Sequence, residues 1–355
     1  MAELTLDETK LEAFIERFIG DAAATAHAAT VVLGDKLGLF RALAEGGPLT
    51  ADELAARSRC HPRLIKEWVN AQAASEYCIY DPATDRYSLT PEQTACLADP
   101  DSPTFLVGNT RIVNTLHKDE EGVRNAFTGD EGFGWHEHHD DLFAAMASAS
   151  SADYAAGLVP EWIPALNGVE AKLLSGACVA DVGCGHGGPT IMLALAYPAS
   201  TFHGFDYHAE SIEAARKAAA EARVSDRVTF EVAVADSFPG EGYDLICTFD
   251  AFHDMGNPVA VARHIRSALA PDGTWMITEL NAGDRVEENI NPFGRFLYSA
   301  STFVCVPNAL SQGSGPALGA AAGEAALHEV TTEAGFSRFR RAAEAPFNLI
   351  IEARP

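Results

Sequence analysis

Positive charge is scarce in this 355-residue sequence. Lys and Arg number 25 against 50 Asp and Glu, leaving a net charge of −25. A surface of that sign repels nucleic-acid phosphates and anionic lipid, so neither is an expected partner. No run approaches 18 continuous apolar residues, so no membrane-crossing helix is expected. The start, MAELTLDETKLEAFIERF, lacks the basic residues and apolar block of a secretory leader. The seven cysteines are odd in number and form no C-x-x-C pair. That argues against a disulfide framework or structural zinc, and for reduced thiols in a cytoplasm.

What is present is the composition of a chain that folds. Hydrophobic residues make up 47% and charged residues 21%, a balance that excludes wholesale disorder. The length suits two domains. We read 1–100 as a helical and winged-helix domain, 101–170 as a helical connecting region, and 171–355 as an α/β domain.

Residues 10–45 read as helix. Leu11, Phe14, Ile15, Phe18 and Ile19 recur at helical spacing. So apolar a stripe needs burial, and a second copy of the chain is one way to supply it. Thr50 with Glu53 three residues on is a capping-box pattern, and His61-Pro62 opens a further helix. The segments CIY and RYSLT, joined by DPATD, read as a β-ribbon. Helix, helix and ribbon make a winged helix. Arg59, Arg63 and Lys66 are the basic residues near its would-be recognition helix, so we read packing or dimerisation rather than DNA binding.

Beyond residue 170, short apolar strands alternate with helical stretches, the pattern of a mainly parallel sheet. The first strand, CVADV, runs into DVGCGHGG, with Gly183, Gly185 and Gly187 in a tight turn before a helix. Glycines let the backbone approach a ligand, and a helix start offers free N–H groups. The stretch also satisfies G-x-G-x-x-G, which would suit a nicotinamide cofactor. Asp181 weighs the other way. A carboxylate two residues before the first glycine suits a cationic ligand such as S-adenosylmethionine and repels a pyrophosphate. Asp206 closes the second strand, placed to accept ribose hydroxyls from either cofactor. The third strand is read through RVTFEVAVADSF to Asp236 and Ser237, as adenine contacts. The fourth ends at Phe249 and Asp250, followed by His253 and Asp254. Open α/β sheets bind ligands at such strand ends.

These motifs resemble class I S-adenosylmethionine-dependent methyltransferases. DVGCGHG looks like their glycine loop, Asp206 like their ribose-binding acid and Asp236 like the acid beside adenine. IRSALAPDGTWMITE is similar to their helix and fifth strand, with a Pro-x-Gly turn before the strand. TTEAGFSRFRRAAEAPFNLIIEARP is similar to their closing helix and hairpin. The resemblance implies a Rossmann-like seven-stranded sheet with an antiparallel last strand. The N-terminal half resembles the winged-helix dimerisation domain of small-molecule O-methyltransferases, within an actinobacterial-type group of unassigned substrate. It implies a homodimer acting on a small-molecule acceptor.

In that family a His-Asp pair after the fourth strand holds the catalytic histidine. His253-Asp254 looks like that pair, with Met255-Gly256 replacing the usual Trp-containing run. A phenol has a pKa of about 10, so an imidazole base assists its methylation near neutral pH. Asn257-Pro258 reads as a helix cap. Trp135, His138, Tyr154, Phe296 and Tyr298, together with Phe293 and Phe303, suggest an aromatic or hydrophobic acceptor. His136, His138 and His139 are too close in sequence to converge on one ion, so no metal is expected. The small-residue stretch 309–327 reads equally as a lid or a loop. A catalytically silent cofactor-binding regulator and a nicotinamide oxidoreductase are the competing functions.

Overall fold

The computed structural model describes residues 6–100, 102–129, 131–313 and 315–355. The first five residues of the acidic start, and Ser314 within the small-residue stretch, lie outside the described residues. The chain divides into two compact units, 1–114 and 115–355. The boundary thus falls after residue 114, and most of the segment read as a connecting region belongs with the sheet.

In the first unit, α1 (Glu8–Lys36) and α2 (Leu39–Gly46) replace the single helix read over 10–45. Gly38 breaks it by adopting a left-handed conformation, φ 67°, which costs glycine little. Next come α3 (Ala51–Ser58) and α4 (Pro62–Ala74). The capping box of Thr50 and Glu53 forms, and His61 caps α4 with Pro62 in its first turn. The ribbon strands β1 (Ile79–Asp81) and β2 (Arg86–Ser88) pair antiparallel, Tyr80 opposite Tyr87. Helices α5 (Pro91–Leu97) and α6 (Val107–Leu116) follow. Trp68 of α4 lies against Gly34 of α1, where an added Cβ would meet its ring at 2.4 Å, and its indole N–H donates to Thr30 O. Arg63 and Lys66 pair with Glu67 and Asp85. The apolar stripe of α1 stays exposed, Phe14 at 64% and Phe18 at 65%.

In the second unit, α7 (Glu120–Thr128), α8 (Asp141–Gly157), α9 (Ile163–Ala165) and α10 (Val169–Ser175) precede the sheet. The sheet then alternates β3 (Cys178–Val182), α11 (Gly188–Ala196), β4 (Thr201–Asp206), α12 (Ala209–Glu221), β5 (Val228–Val232), β6 (Tyr243–Phe249), α13 (Pro258–Ala268) and β7 (Leu269–Leu280). Next come α14 (Pro292–Phe303), α15 (Cys305–Ser311), α16 (Gly323–Glu333), β8 (Arg338–Glu344) and β9 (Asn348–Arg354). The strand order is β5-β4-β3-β6-β7-β9-β8. Strands β3 to β7 pair in parallel, and β9 runs antiparallel to both β7 and β8.

Strict alternation divides the core. Leu245, Cys247, Met276 and Ile350 share one core cluster with residues of α8 to α12, while Ile246, Trp275, Ile277 and Ile351 share the other with residues of α13 and α16. Both faces are covered, which is why these strands read as continuous apolar runs.

Two strand limits differ from the sequence reading. Strand β5 stops at Val232, because its only neighbour, β4, ends opposite it at Asp206. Asp236 and Ser237 therefore lie in the turn beyond. Pro271-Asp272-Gly273 is not a turn before β7 but an irregularity within it, between the pairs Tyr243–Leu269 and Leu245–Thr274.

Candidate active site

At the end of β3 the chain turns on three left-handed glycines: Gly183, Gly185 and Gly187, with φ of 79°, 50° and 75°. Gly183 and Cys184 donate their N–H groups to Phe205 O, tying the bend to β4. A Cβ on Gly187 would strike the Phe230 ring at 2.5 Å, whereas one on Gly185 would meet nothing within 4 Å. The middle of the bend thus borders open space.

Two acids flank it. Asp206 accepts from Gly185 N–H and His208 N–H, each at 2.9 Å. Burial pushes its pKa up, against the pull of those two bonds. Asp181 is buried, accepts from the Thr190 hydroxyl, and leaves Oδ1 without a partner. Burial pushes its pKa up to about 7, with Thr190 drawing it back and Asp206 adding to the rise. A buried orphan acceptor is costly unless a ligand supplies a donor.

Past β6, Phe249 is buried and Asp250 takes φ 49°. Its carboxylate accepts from Tyr154 Oη–H at 2.5 Å and Asn348 Nδ2–H at 2.9 Å. Burial, then the charge of Glu279, raises its pKa to about 7. Tyr154, read from sequence as an acceptor contact, is buried against Phe249 and Trp162 and belongs with this acid. Asp236 and Ser237 are exposed and bond to each other, and no hydrogen bond joins them to the other predicted site residues.

His253 is 3% exposed, in a single helical turn after β6. Glu279, at the end of β7, accepts from the His253 backbone N–H at 3.1 Å and from its ring Nδ1–H at 2.5 Å. A carboxylate only accepts, so Nδ1 carries the proton. Nε2 lies 3.2 Å from Asp254 Oδ1, without an aligned hydrogen bond. Burial draws the His253 pKa down, but Glu279 and Asp254 outweigh it and hold it well above the usual range. Cys305 is buried alongside, its thiol pushed up to about 11 chiefly by burial. His253, Asp254 and Cys305 each place one potential ligand atom within 4.8 Å of the others.

The residues read from sequence as acceptor contacts separate into three places. Trp135 N–H donates to Tyr207 Oη and Asn308 Oδ1, and Asn308 in turn reaches the Asp254 carbonyl. His138 turns inward onto Asp119, while His136 and His139 stay exposed, so the three histidines do not converge. Tyr298 lines an apolar cavity of about 350 Å³ with Phe127, Val306, Leu310 and Leu318. Gly319, also in its wall, donates to the His253 carbonyl. Phe296 is half-buried, and Phe293 packs instead on Phe347. Within 309–327, α15 continues to Ser311 and α16 begins at Gly323.

Sequence reasoning missed Glu279, Asp119, Cys305, Asn308 and Asn348. Glu279 carried a signal, being an acid at the end of the fifth parallel strand. The others carried none.

A family model described as Methyltransferase domain matches residues 173–310. One described as Rv2258c-like winged HTH domain matches 25–99. The 27-O-demethylrifamycin SV methyltransferase of Amycolatopsis mediterranei (strain S699) is 30% identical over 151 residues, 41% of this chain and 51% of that protein. The chain therefore spans about half the length of that relative. Among solved structures, the mitomycin 7-O-methyltransferase MmcR superposes with TM-score 0.70 at 18% identity, over 98% of this chain and 100% of that one. Human N-acetylserotonin methyltransferase in complex with SAM gives TM-score 0.66 at 17% identity, over 100% and 99%. At those identities the likeness is one of fold.

Proposed function

We propose that this chain, a class I S-adenosylmethionine-dependent methyltransferase with an N-terminal winged-helix domain, methylates a hydroxyl of a small aromatic or hydrophobic acceptor. The observation that carries the reading is the buried His253–Glu279 pair at two adjacent strand ends beside the glycine bend.

The donor's fit rests on Asp181 Oδ1, a buried acceptor lacking a partner, near a bend whose middle residue faces open space. Asp181 would receive a cationic end of the donor. The backbone of Gly183, Gly185 and Gly187 would line its approach, and Asp206 would accept its ribose hydroxyls. Asp250 and Phe249 would border it, with Asp236 and Ser237 toward adenine. When bound, S-adenosylmethionine supplies a methyl group made electrophilic by its sulfonium.

The chain's task is alignment and proton removal. Glu279 holds the His253 ring by Nδ1–H, which leaves Nε2 to take the acceptor's hydroxyl proton. Asp254 steadies the resulting imidazolium. Trp135, His138, Tyr298 and Phe296 are proposed to bound the acceptor, with Tyr154 behind Asp250. Because its two acids raise its pKa, His253 is in base form only toward higher pH. The transfer rate should therefore climb with pH beyond the range of an ordinary histidine.

The exposed stripe on α1 supports a homodimer formed through the N-terminal unit, and light scattering at twice the chain mass would match it. No helix among the described residues is long and apolar enough to cross a membrane, and a cytoplasmic setting is proposed. The function is tested with a labelled methyl donor and a panel of hydroxyarenes, beside calorimetry with S-adenosylhomocysteine. Binding without transfer to any acceptor would favour a silent regulator. Binding of NAD(H) instead would favour an oxidoreductase.

A further inference from the structure

His138 is a second buried imidazole on the acceptor side, and it differs from His253 in what faces it. Asp119 Oδ2 lies 2.8 Å from its Nδ1, and Asp119 Oδ1 accepts from the next backbone N–H, that of His139, at 3.1 Å. The carboxylate fixes the tautomer, so Nδ1 carries the proton and Nε2 presents a lone pair. The residue is 4% exposed, and Nε2 has no hydrogen-bond partner. Phe133 and Trp135 present their rings to it at 4.6 and 6.2 Å.

Its segment lies across the C-terminal edge of the sheet. Trp135 is tied to Asn308, which reaches the Asp254 carbonyl. Trp135 also packs on Phe143, and Phe143 on His208, whose N–H holds Asp206. The charged groups that act on His138 are Asp119, Asp254 and Glu137. Asp254 Oδ1 is itself buried without an aligned donor. His253 Nε2 faces that oxygen at 3.2 Å as a charged partner, so it is His138 Nε2 that has no donor within reach. A site built this way matches a ligand that brings a donor, since an unmet acceptor costs free energy that a donor recovers.

We infer that the methyl acceptor carries a second hydrogen-bond donor, a hydroxyl or N–H beside the hydroxyl that is methylated, and that His138 Nε2 receives it. The inference deepens the methyl-transfer reading and rests on it. It names the substrate class as aromatic compounds with at least two donors, of which a dihydroxyarene is the simplest. Burial draws the His138 pKa down despite Asp119, which keeps the ring neutral and Nε2 able to accept at pH 7. Asp119 is a positioning residue in this scheme.

The test uses the full chain with 15N-labelled histidine. Catechol, 2-methoxyphenol and phenol serve as probes, with S-adenosylhomocysteine present. His138 should carry its proton on Nδ1 at pH 7. Its Nε2 resonance should move with catechol and not with phenol. Catechol should bind about tenfold or more tighter than 2-methoxyphenol. His138→Leu should erase that preference, and His138→Gln, whose amide oxygen still accepts, should restore part of it.

Equal affinities in the unmodified chain, or a preference that survives His138→Leu, would overturn the inference. So would a proton on Nε2 at pH 7, or failure of all three probes to bind. An Nε2 resonance unmoved by every probe would assign the lone pair to a buried water and also overturn it. Calorimetry with S-adenosylhomocysteine alone separates the two claims. Absence of that binding in the unmodified chain sinks methyl transfer, while the catechol preference is read a second time with S-adenosylhomocysteine left out.

Discussion

The two sides of the sheet's C-terminal edge are held together differently. On the side proposed for the cofactor, partners are near neighbours in sequence. Asp181 and Thr190 are 9 residues apart, Asp206 and His208 are 2 apart, and Asp206 and Gly185 are 21 apart. On the side proposed for the acceptor, Asn308 reaches Trp135 across 173 residues and the Asp254 carbonyl across 54. One side is a local turn built into two adjacent strands. The other is a convergence of loops and helices that separate parts of the second unit must bring together. A local grip suits a ligand that never changes, while an assembled wall can be rebuilt for a new acceptor without disturbing the grip.

That contrast fails if substitutions on the two sides have the same consequences. The largest effect should come from His253→Ala, with kcat/KM falling about 10²- to 10⁴-fold for whichever hydroxyarene is turned over. S-adenosylhomocysteine affinity, read by calorimetry, should barely change. A large loss of affinity instead would merge the two sides.

Asp181→Asn should do the reverse, weakening S-adenosylhomocysteine binding by roughly tenfold to a hundredfold. It carries a proton test as well. With its pKa raised to about 7, Asp181 is largely protonated below that pH, and a cationic ligand would expel the proton. Affinity should therefore rise with pH up to about 7, and proton release should appear in calorimetry across buffers of different ionisation enthalpy. Asp181→Asn should abolish that release. The free protein should follow the same sign. Asp181 and Asp250 both have folded pKa values raised to about 7, so their contribution to stability is full below the unfolded value and is lost as pH rises through about 7.

Gly187→Ala should lower stability by about 1–3 kcal/mol, from a positive φ and a clash with Phe230, read as a lower urea midpoint. Gly185→Ala shares the positive φ but meets no neighbour, so it should cost less stability and more affinity. The smallest change is expected from Tyr154→Phe, about 1 kcal/mol, because Asn348 still serves Asp250.

The same contrast governs how much could be read from the sequence. The glycine bend, Asp181 and Asp206 lie within one contiguous β-turn-α-β stretch, where the turn chemistry and strand ends are local. The mainly parallel α/β sheet was legible for the same reason, since its period and punctuation recur along the chain, whereas its seven strands and antiparallel end were implied by the family resemblance alone. Asp236 marks the limit of that logic. The apolar run of β5 continues past Val232, but pairing stops where β4 stops, and no property of RVTFEVAVADSF encodes its neighbour's length. Glu279 was within reach of the strand-end rule. Asp119 and Asn308 were not, because the packing of α7 and α15 brings them in. His138 stood in the sequence as one of three close histidines, and only the fold separates it from His136 and His139.

The stripe of Leu11, Phe14, Ile15, Phe18 and Ile19 on α1 shares its molecule with a net charge of −25. Coulombic repulsion between copies is screened as electrolyte is added, while contact between uncharged rings is not weakened by it. Self-association through that stripe should therefore tighten from dilute buffer to several hundred millimolar sodium chloride, opposite to an interface built on ion pairs.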